Sequence, residues 1–293
     1  MGPPNTLAKV SSPSNPEVNS ISQENYRFLE QYIHRESGIL LGDDKLYLIQ
    51  ARLLPVLAEQ KLASLDDLCG KLRSSPSEAL RRRIVESMTT HETLFFRDPQ
   101  VFETLRTHLF PELILKRQAS KTLRIWSAAC SSGQEAYSIG ILGLELGLAD
   151  WNVEIVGTDL SNPILERARS AKYLQIEMNR GLPAALLVKH FQRAGLDWQL
   201  KENVRRMARF SIFDLRQNMG SLGYFDLVLC RNVLIYFDME TRKRIIAGIR
   251  GQLFPGGYLI LGASETTFNL DTSFQRKTLG GSVVYQKPDM APK

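Results

Sequence analysis

Cysteine and histidine are scarce in this chain. Cys69, Cys130 and Cys230 are too few and too far apart for a disulfide framework or a zinc site, and the four histidines show no metal-ligand spacing. No metal is therefore expected, and reduced, buried thiols point to a cytoplasmic protein. No run reaches the roughly 18 apolar residues of a membrane span, so membrane insertion is not expected. Residues 1–20, MGPPNTLAKVSSPSNPEVNS, hold one lysine, no apolar stretch and many Pro, Ser and Asn. They read as a disordered leader, not a secretory signal.

What is present is an ordinary globular composition over 293 residues, 43% hydrophobic and 23% charged, enough for one large domain or two ordinary ones. The formal charge of +6 is uneven: residues 21–97 balance 11 Lys/Arg against 11 Asp/Glu, whereas residues 98–293 hold 25 against 19. A basic stretch at 180–216 faces only Asp197, Glu202 and Asp214. Such a patch is either a solvated face or a surface for an acidic protein or nucleic acid.

Residues 22–90 read as helices. Ser22 caps the first, whose Tyr26, Phe28, Leu29 and Ile33 recur at helical spacing, and Gly38 suits its end. Gly42-Asp43-Asp44 starts a second helix holding Leu46, Ile49, Leu53 and Leu54; Ser64–Leu72 and Ser77–Met88 make a third and fourth. Residues 100–118 form a connecting helix. Strands at Leu123–Ala128, Asn152–Thr158, Met207–Phe213, Phe225–Cys230, Tyr258–Leu261 and Ser282–Gln286 then alternate with helices at Glu135–Leu148, Pro163–Ala171 and Met239–Leu253. This predicts an α/β fold, a mostly parallel sheet with helices on both faces, together with a small N-terminal all-helical domain. Residues 172–203 interrupt the alternation as an inserted subdomain. The predicted divisions are a leader at 1–20, a helical domain at 21–92, a linker and connecting helix at 93–120, and the α/β domain at 121–288.

Two strings carry most of the functional signal. DLVLCRNVLIYF, residues 226–237, is an apolar strand that stops on Arg231 and Asn232, and open α/β sheets place their chemistry just past strand carboxyl ends. TTHETLFFR, residues 89–97, is hydroxyl-rich and ends in two aromatics and an arginine. The turn Ala128–Gly133 after the first strand is built of small residues, which let a ligand approach the backbone before a helix start. It lacks the G-x-G-x-x-G of a diphosphate site, so a smaller ligand with a carboxylate and an ammonium fits better, and Glu135 is placed to meet a positive charge. Asp159 ends the second strand, where an acid either accepts from both ribose hydroxyls or caps the next helix. Asp214 follows the third strand, where it either accepts from an adenine amino group beside Leu215 or forms a turn. Pro255-Gly256-Gly257 predicts a tight turn before the next strand. No Ser-His-Asp set or acid pair stands in these strings.

Together these features resemble the Rossmann-like methyltransferases that use S-adenosylmethionine, over about residues 121–287. More narrowly, TTHETLFFRD (89–98), AACSSGQEAYSIG (128–140), GTDL (157–160), CRNVLIYFD (230–238) and PGGYLILGASE (255–265) are similar to the CheR family, the chemotaxis receptor methyltransferases, across nearly all of residues 21–288. The resemblance implies methyl transfer from S-adenosylmethionine to glutamate side chains of methyl-accepting chemoreceptors. It also implies roles. Thr93 and Arg97 contact the methionyl part of the cofactor, Arg97 near its carboxylate and the reacting centre. His91, where many members carry an asparagine, joins the cofactor set. Glu135 binds the ammonium and Asp159 the ribose; Asp214, an asparagine in some members, frames the adenine with Leu215. Arg231, Asn232 and Tyr236 line the methyl-transfer pocket, Arg231 and Asn232 also reaching the cofactor. Arg97, Arg231 and Tyr236 are the candidate catalytic residues. The implied partner is the cytoplasmic helical bundle of a chemoreceptor, and the insertion, with RGLP at 180–183, is a candidate site for a receptor C-terminal tether peptide.

The chemistry asks little of the protein. A glutamate carboxylate, with a pKa of about 4.3, is ionised at neutral pH and needs no general base. Alignment of its oxygen with the methyl carbon and sulfur supplies most of the acceleration, and Arg97 or Arg231 could grip the carboxylate bidentately. Two other readings compete. One is a methyltransferase of nucleic acid, suggested by the basic 180–216 stretch, although the interleaved aromatics of a single-strand binder are missing; nucleic acid is therefore not the expected partner. The other is a sensor that holds S-adenosylmethionine or its demethylated product without catalysis.

Overall fold

The computed structural model describes residues 21–42 and 45–289. The predicted leader, and Asp43 and Asp44 at the predicted start of the second helix, lie outside the described residues. The chain divides into two compact units between Met88 and Thr89.

The first unit holds α1 (Gln23–Ser37), α2 (Leu46–Gln60), α3 (Leu65–Arg73) and α4 (Glu78–Met88). Local chemistry sets their ends. Ser22 Oγ accepts from the Asn25 N–H, and Gly38 closes α1 at a left-handed φ of 76°. Ser64 and Asp67 cap α3 reciprocally. Ser77 Oγ accepts from the Leu80 N–H at 3.2 Å. The helical stripes Leu29/Ile33, Ile49/Leu53, Leu68/Leu72 and Leu80/Ile84 meet in one core. Each such side chain contributes about 1.5–3 kcal/mol on burial.

The second unit opens with a helical rod in which α5 (Pro99–Thr104) and α6 (Phe110–Arg117) are joined by a π-helical turn, Leu105–Leu109. There follow β1 (Thr122–Ala128), α7 (Gln134–Glu145), β2 (Asn152–Asp159), α8 (Asn162–Ser170), β3 (Lys172–Leu174), α9 (Gln175–Met178), α10 (Ala184–His190), β4 (Phe191–Ala194), β5 (Asp197–Leu200), α11 (Glu202–Arg205), β6 (Ala208–Ile212), β7 (Phe225–Cys230), α12 (Met239–Gln252), β8 (Leu253–Leu261), β9 (Gln275–Leu279) and β10 (Ser282–Gln286). The main sheet runs β6-β2-β1-β7-β8-β10-β9. Its first five strands are parallel, and β10 is antiparallel to both β8 and β9. This is the Rossmann-like α/β sheet that the sequence predicts. Every residue of β7 is buried, which is why Leu227–Cys230 reads as an unbroken apolar run, while the buried Asp226 is paired with Arg117 at 2.6 Å. One face packs the rod and α7 against the sheet through Phe102, Leu109, Leu113 and Ile139. The other packs Ile245, Ile246 and Ile249 of α12 against Trp126, Val228 and Leu259.

Between α8 and β6, strands β3, β5 and β4 form a separate antiparallel sheet in the order β3-β5-β4. Phe95 anchors the preceding 89–98 segment there, edge-on to Tyr173 at 4.9 Å and to Phe191 at 5.4 Å. Gly181, at φ 84°, permits this packing, because a Cβ would lie 2.1 Å from the Phe95 carbonyl oxygen. The expected turn at Pro255-Gly256-Gly257 is corrected by the structure: these residues lie within β8. Gly256 N–H donates to the Lys287 carbonyl and Lys287 N–H to the Gly257 carbonyl, both at 2.9 Å, so the ladder absorbs the glycines. The distortion appears as a register shift against β7 between Phe225 and Leu227. Among the described residues no helix is long and apolar enough to cross a membrane.

Candidate active site

Strand order reverses at β1, between β2 on one side and β7 on the other, so the carboxyl ends of β1, β2, β6 and β7 surround the switch point of the sheet. Past β1 the chain turns through three left-handed residues, Ala129 (φ 55°), Ser131 (φ 51°) and Gly133 (φ 89°). Only glycine suits the last, since a Cβ there would also meet Ala168, Phe210 and Tyr137 at 3.1–3.2 Å. Asp159, almost buried at the end of β2, holds this turn: Oδ2 accepts from the Ser131 N–H at 2.9 Å and Oδ1 from the Ser161 N–H at 3.1 Å. The carboxylate therefore ties the start of α8 to the first turn and still has lone pairs for a diol.

The 89–98 segment reaches the same place. Ser131 Oγ donates to the His91 carbonyl at 2.9 Å, while the His91 ring lies 2.8 Å from Thr89 Oγ1. Arg97 donates Nη1 to the Glu92 carbonyl at 3.0 Å. Thr93 and Tyr236 are half-buried. Phe213 N–H donates to the Asp159 carbonyl at 3.0 Å, which brings Asp214 alongside. The Asp214 carboxylate also binds Arg216, with Oδ2 2.6 Å from Nη2 and Oδ1 2.9 Å from its backbone N–H. Leu215 is buried in the same apolar cluster as Ala128.

Arg231 is the most enclosed charge of the site, its side chain 1% exposed. Nη1 donates to Glu135 Oε2 at 2.9 Å, and Nη2 donates to Asp98 Oδ2 at 2.5 Å and to the Arg97 carbonyl at 2.9 Å. Glu135 also accepts from Ser127 Oγ at 2.7 Å. A buried cation is tolerated when paired in this way. Both of its terminal nitrogens are engaged by protein groups, and only Nε is buried without a partner among the described residues. The surrounding field is negative. Burial first, then Asp159 and Glu135, pushes the Cys130 thiol well above its ordinary range; burial, then Glu265 and Glu135, does the same to Cys230. Both are neutral thiols at pH 7, so neither is a nucleophile here.

Sequence reasoning missed two acids. Asp98 directly follows Arg97, and its adjacency to that candidate was the available signal. Glu265 closes the LGASE string, and its carboxylate binds the backbone of the turn after β7 through Asn232, Val233 and Leu234 N–H groups at 2.8–2.9 Å.

Two family models match the chain: the CheR methyltransferase SAM-binding domain over residues 91–280, and the CheR methyltransferase all-alpha domain over residues 24–89. The chain belongs to the CheR methyltransferase family. It is 39% identical to chemotaxis protein methyltransferase 1 of Pseudomonas aeruginosa over 273 residues, covering 91% of this chain and 99% of that one. It is 40% identical over 261 residues to chemotaxis protein methyltransferase Cher2 of Pseudomonas putida (87% and 94% covered) and 38% identical over 273 residues to a chemotaxis protein methyltransferase of Vibrio parahaemolyticus (91% and 98%). The cofactor of this CheR protein is S-adenosylmethionine. The site's chemistry fits it: a carboxylate at Glu135 suits an ammonium, Asp159 a diol, the orphan Nε of Arg231 an anion, and Leu215 an apolar ring.

Proposed function

We infer that this CheR protein esterifies glutamate side chains of methyl-accepting chemoreceptors, in the cytoplasm, at the switch-point site of residues 89–293. The observation that carries the reading is the meeting of Glu135, Asp159 and the left-handed Ala129–Gly133 turn at the end of β1, in a chain of this family. Bound S-adenosylmethionine supplies a methyl group on a positively charged sulfur. Asp159 holds the ribose, Asp214 and Leu215 the adenine, and Glu135 the ammonium, with His91, Thr93 and Asn232 completing the cofactor contacts. Arg97 orients the incoming carboxylate, and Tyr236 lines the methyl-transfer pocket. Arg231 acts chiefly by holding Glu135 and Asp98 in place, since both terminal nitrogens are engaged. Excessive grip by Arg97 would stabilise the ground state and gain nothing in rate, so alignment is its main contribution.

On this reading the helical domain spans 21–92, a linker and connecting helix 93–120, and the catalytic domain 121–288, with an insertion at about 172–203. The acceptor is the helical bundle of a chemoreceptor, and the insertion takes a receptor C-terminal tether peptide. The test is methyl incorporation from labelled cofactor into chemoreceptor cytoplasmic fragments, with the esters mapped by mass spectrometry and RNA as the competing acceptor. Glutamate esters formed by the wild type and lost in Arg97→Ala are expected. Label in RNA alone, or none at all, would sink the reading; an unchanged rate in Arg97→Ala would remove Arg97 from the mechanism.

A further inference from the structure

Glu265 is not itself among the cofactor and acceptor contacts named above, yet its carboxylate is ringed by backbone donors. Oε2 accepts from the Gly262 N–H at 2.7 Å and the Asn232 N–H at 2.8 Å, and Oε1 accepts from the N–H groups of Val233 at 2.9 Å and Leu234 at 2.8 Å. The Asn232, Val233 and Leu234 donors lie where β7 ends and a 3-10 turn, Leu234–Tyr236, begins, a place whose first N–H groups have no partner within the turn itself, while the Gly262 donor follows the end of β8. Asn232 sits there at a left-handed φ of 58°, an uncommon conformation that persists when its surroundings hold it. Gly262 is part of the same lock, because a Cβ there would fall 2.7 Å from Glu265 Oε2 and 2.8 Å from both nitrogens of Asn232.

We propose that Glu265 is a positioning residue for methyl transfer, acting through the Arg231–Tyr236 turn. The inference rests on the proposed function, in which this turn carries Asn232 to the cofactor and Tyr236 to the methyl-transfer pocket. Its carboxylate is an acceptor at both oxygens. A glutamine of the same shape would turn an N–H₂ toward two N–H groups and push the turn outward. Glu265 makes no hydrogen bond to the cofactor's anchors, Glu135 at the start of α7, Asp159 at the end of β2 and the Ser131 backbone in the turn between β1 and α7.

The test compares the full-length wild type with Glu265→Gln and Gly262→Ala. The measurements are kcat and cofactor KM with a chemoreceptor fragment, S-adenosylhomocysteine affinity by calorimetry, and Tm. A displacement of about 1 Å at the reacting centre costs on the order of 100-fold, so a kcat loss of roughly 10- to 100-fold is expected in both variants. Cofactor KM and S-adenosylhomocysteine affinity should change by no more than about threefold, the share of Asn232 among several cofactor contacts, and Glu265→Asp, which keeps the charge on a shorter arm, should regain part of kcat. The proposal is overturned by unchanged kcat in the two folded variants, by affinity falling in parallel with kcat, or by failure of both to fold, which would assign Glu265 to stability alone. A wild-type protein that binds S-adenosylhomocysteine but methylates no receptor fails the proposed function instead, and that result precedes any variant.

Discussion

Arg231→Met removes the buried cation while keeping side-chain length and apolar volume, and its consequence can be worked from the two carboxylates left behind. Asp98, 41% exposed, can turn to water. Glu135, 12% exposed, cannot, and retains only Ser127 Oγ. Stranding one member of a buried pair costs about 3–5 kcal/mol, and the slight exposure of Glu135 argues for the lower end, about 3 kcal/mol. Glu135→Gln in the same chain removes the stranded charge, so the double variant should recover about 2 kcal/mol relative to the sum of the single losses. Asp98→Asn should cost no more than about 1 kcal/mol. Urea unfolding followed by tryptophan emission suits the measurement, because Trp126, Trp151 and Trp198 all lie in the 89–293 unit and the helical unit adds no tryptophan signal. With a urea slope of about 2–3 kcal/mol/M, the midpoint of Arg231→Met should fall by roughly 1 M. A loss under about 1 kcal/mol, or a double variant equal to the sum of its parts, would refute the claim that Arg231 and Glu135 form a desolvated pair.

Asp159→Ala should weaken S-adenosylhomocysteine binding at least about tenfold in titration calorimetry, or roughly 1.4 kcal/mol, because the diol acceptor and the anchor of Ser131 go together; unaltered affinity would refute the ribose assignment. Glu145 lies 2.8 Å from Lys189 Nζ and 2.6 Å from His190 Nε2, and chiefly the Lys189 hydrogen bond holds its carboxyl below the usual 4.5. A depressed folded-state pKa stabilises above the unfolded value and is lost as pH falls through the folded one. The stability gap between wild type and Glu145→Gln, about 1 kcal/mol at pH 7, should therefore close progressively below about pH 4.5, and a gap constant down to pH 3 would contradict the pairing. Burial pushes the Cys69 thiol up to about 12 and raises Cys130 and Cys230 well above the ordinary range, so a thiol reagent at pH 8 should label the native chain slowly and all three cysteines rapidly in urea. Fast labelling of the folded protein would show that a thiol is exposed.

Much of the fold is legible because its signals are short-range. Ser22, Ser64 and Ser77 cap helices three residues on, and β7 reads as LVLC because both faces of a central parallel strand are buried. Strand β9, QRKTL, has no apolar alternation, since it lies at the sheet edge. Within the site, Glu135, Asp159 and Asp214 stand close to strand ends and can be found there. Their partners cannot. Arg231 meets Asp98 across 133 positions and Glu135 across 96, and Glu265 meets Asn232 across 33.

The amino-acid order alone determined the four N-terminal helices, the main parallel strands and the acids near their ends, because helical and strand periodicities and helix caps depend on neighbours a few residues away. Only the assembled sheet decided that the charge of Arg231 is shared by Glu135 and Asp98, that Glu265 holds the Asn232 turn, and that Gly256 joins a ladder instead of turning. Charge pairing and hydrogen bonding depend on distance in space, and between remote segments that distance exists only after the strands have assembled.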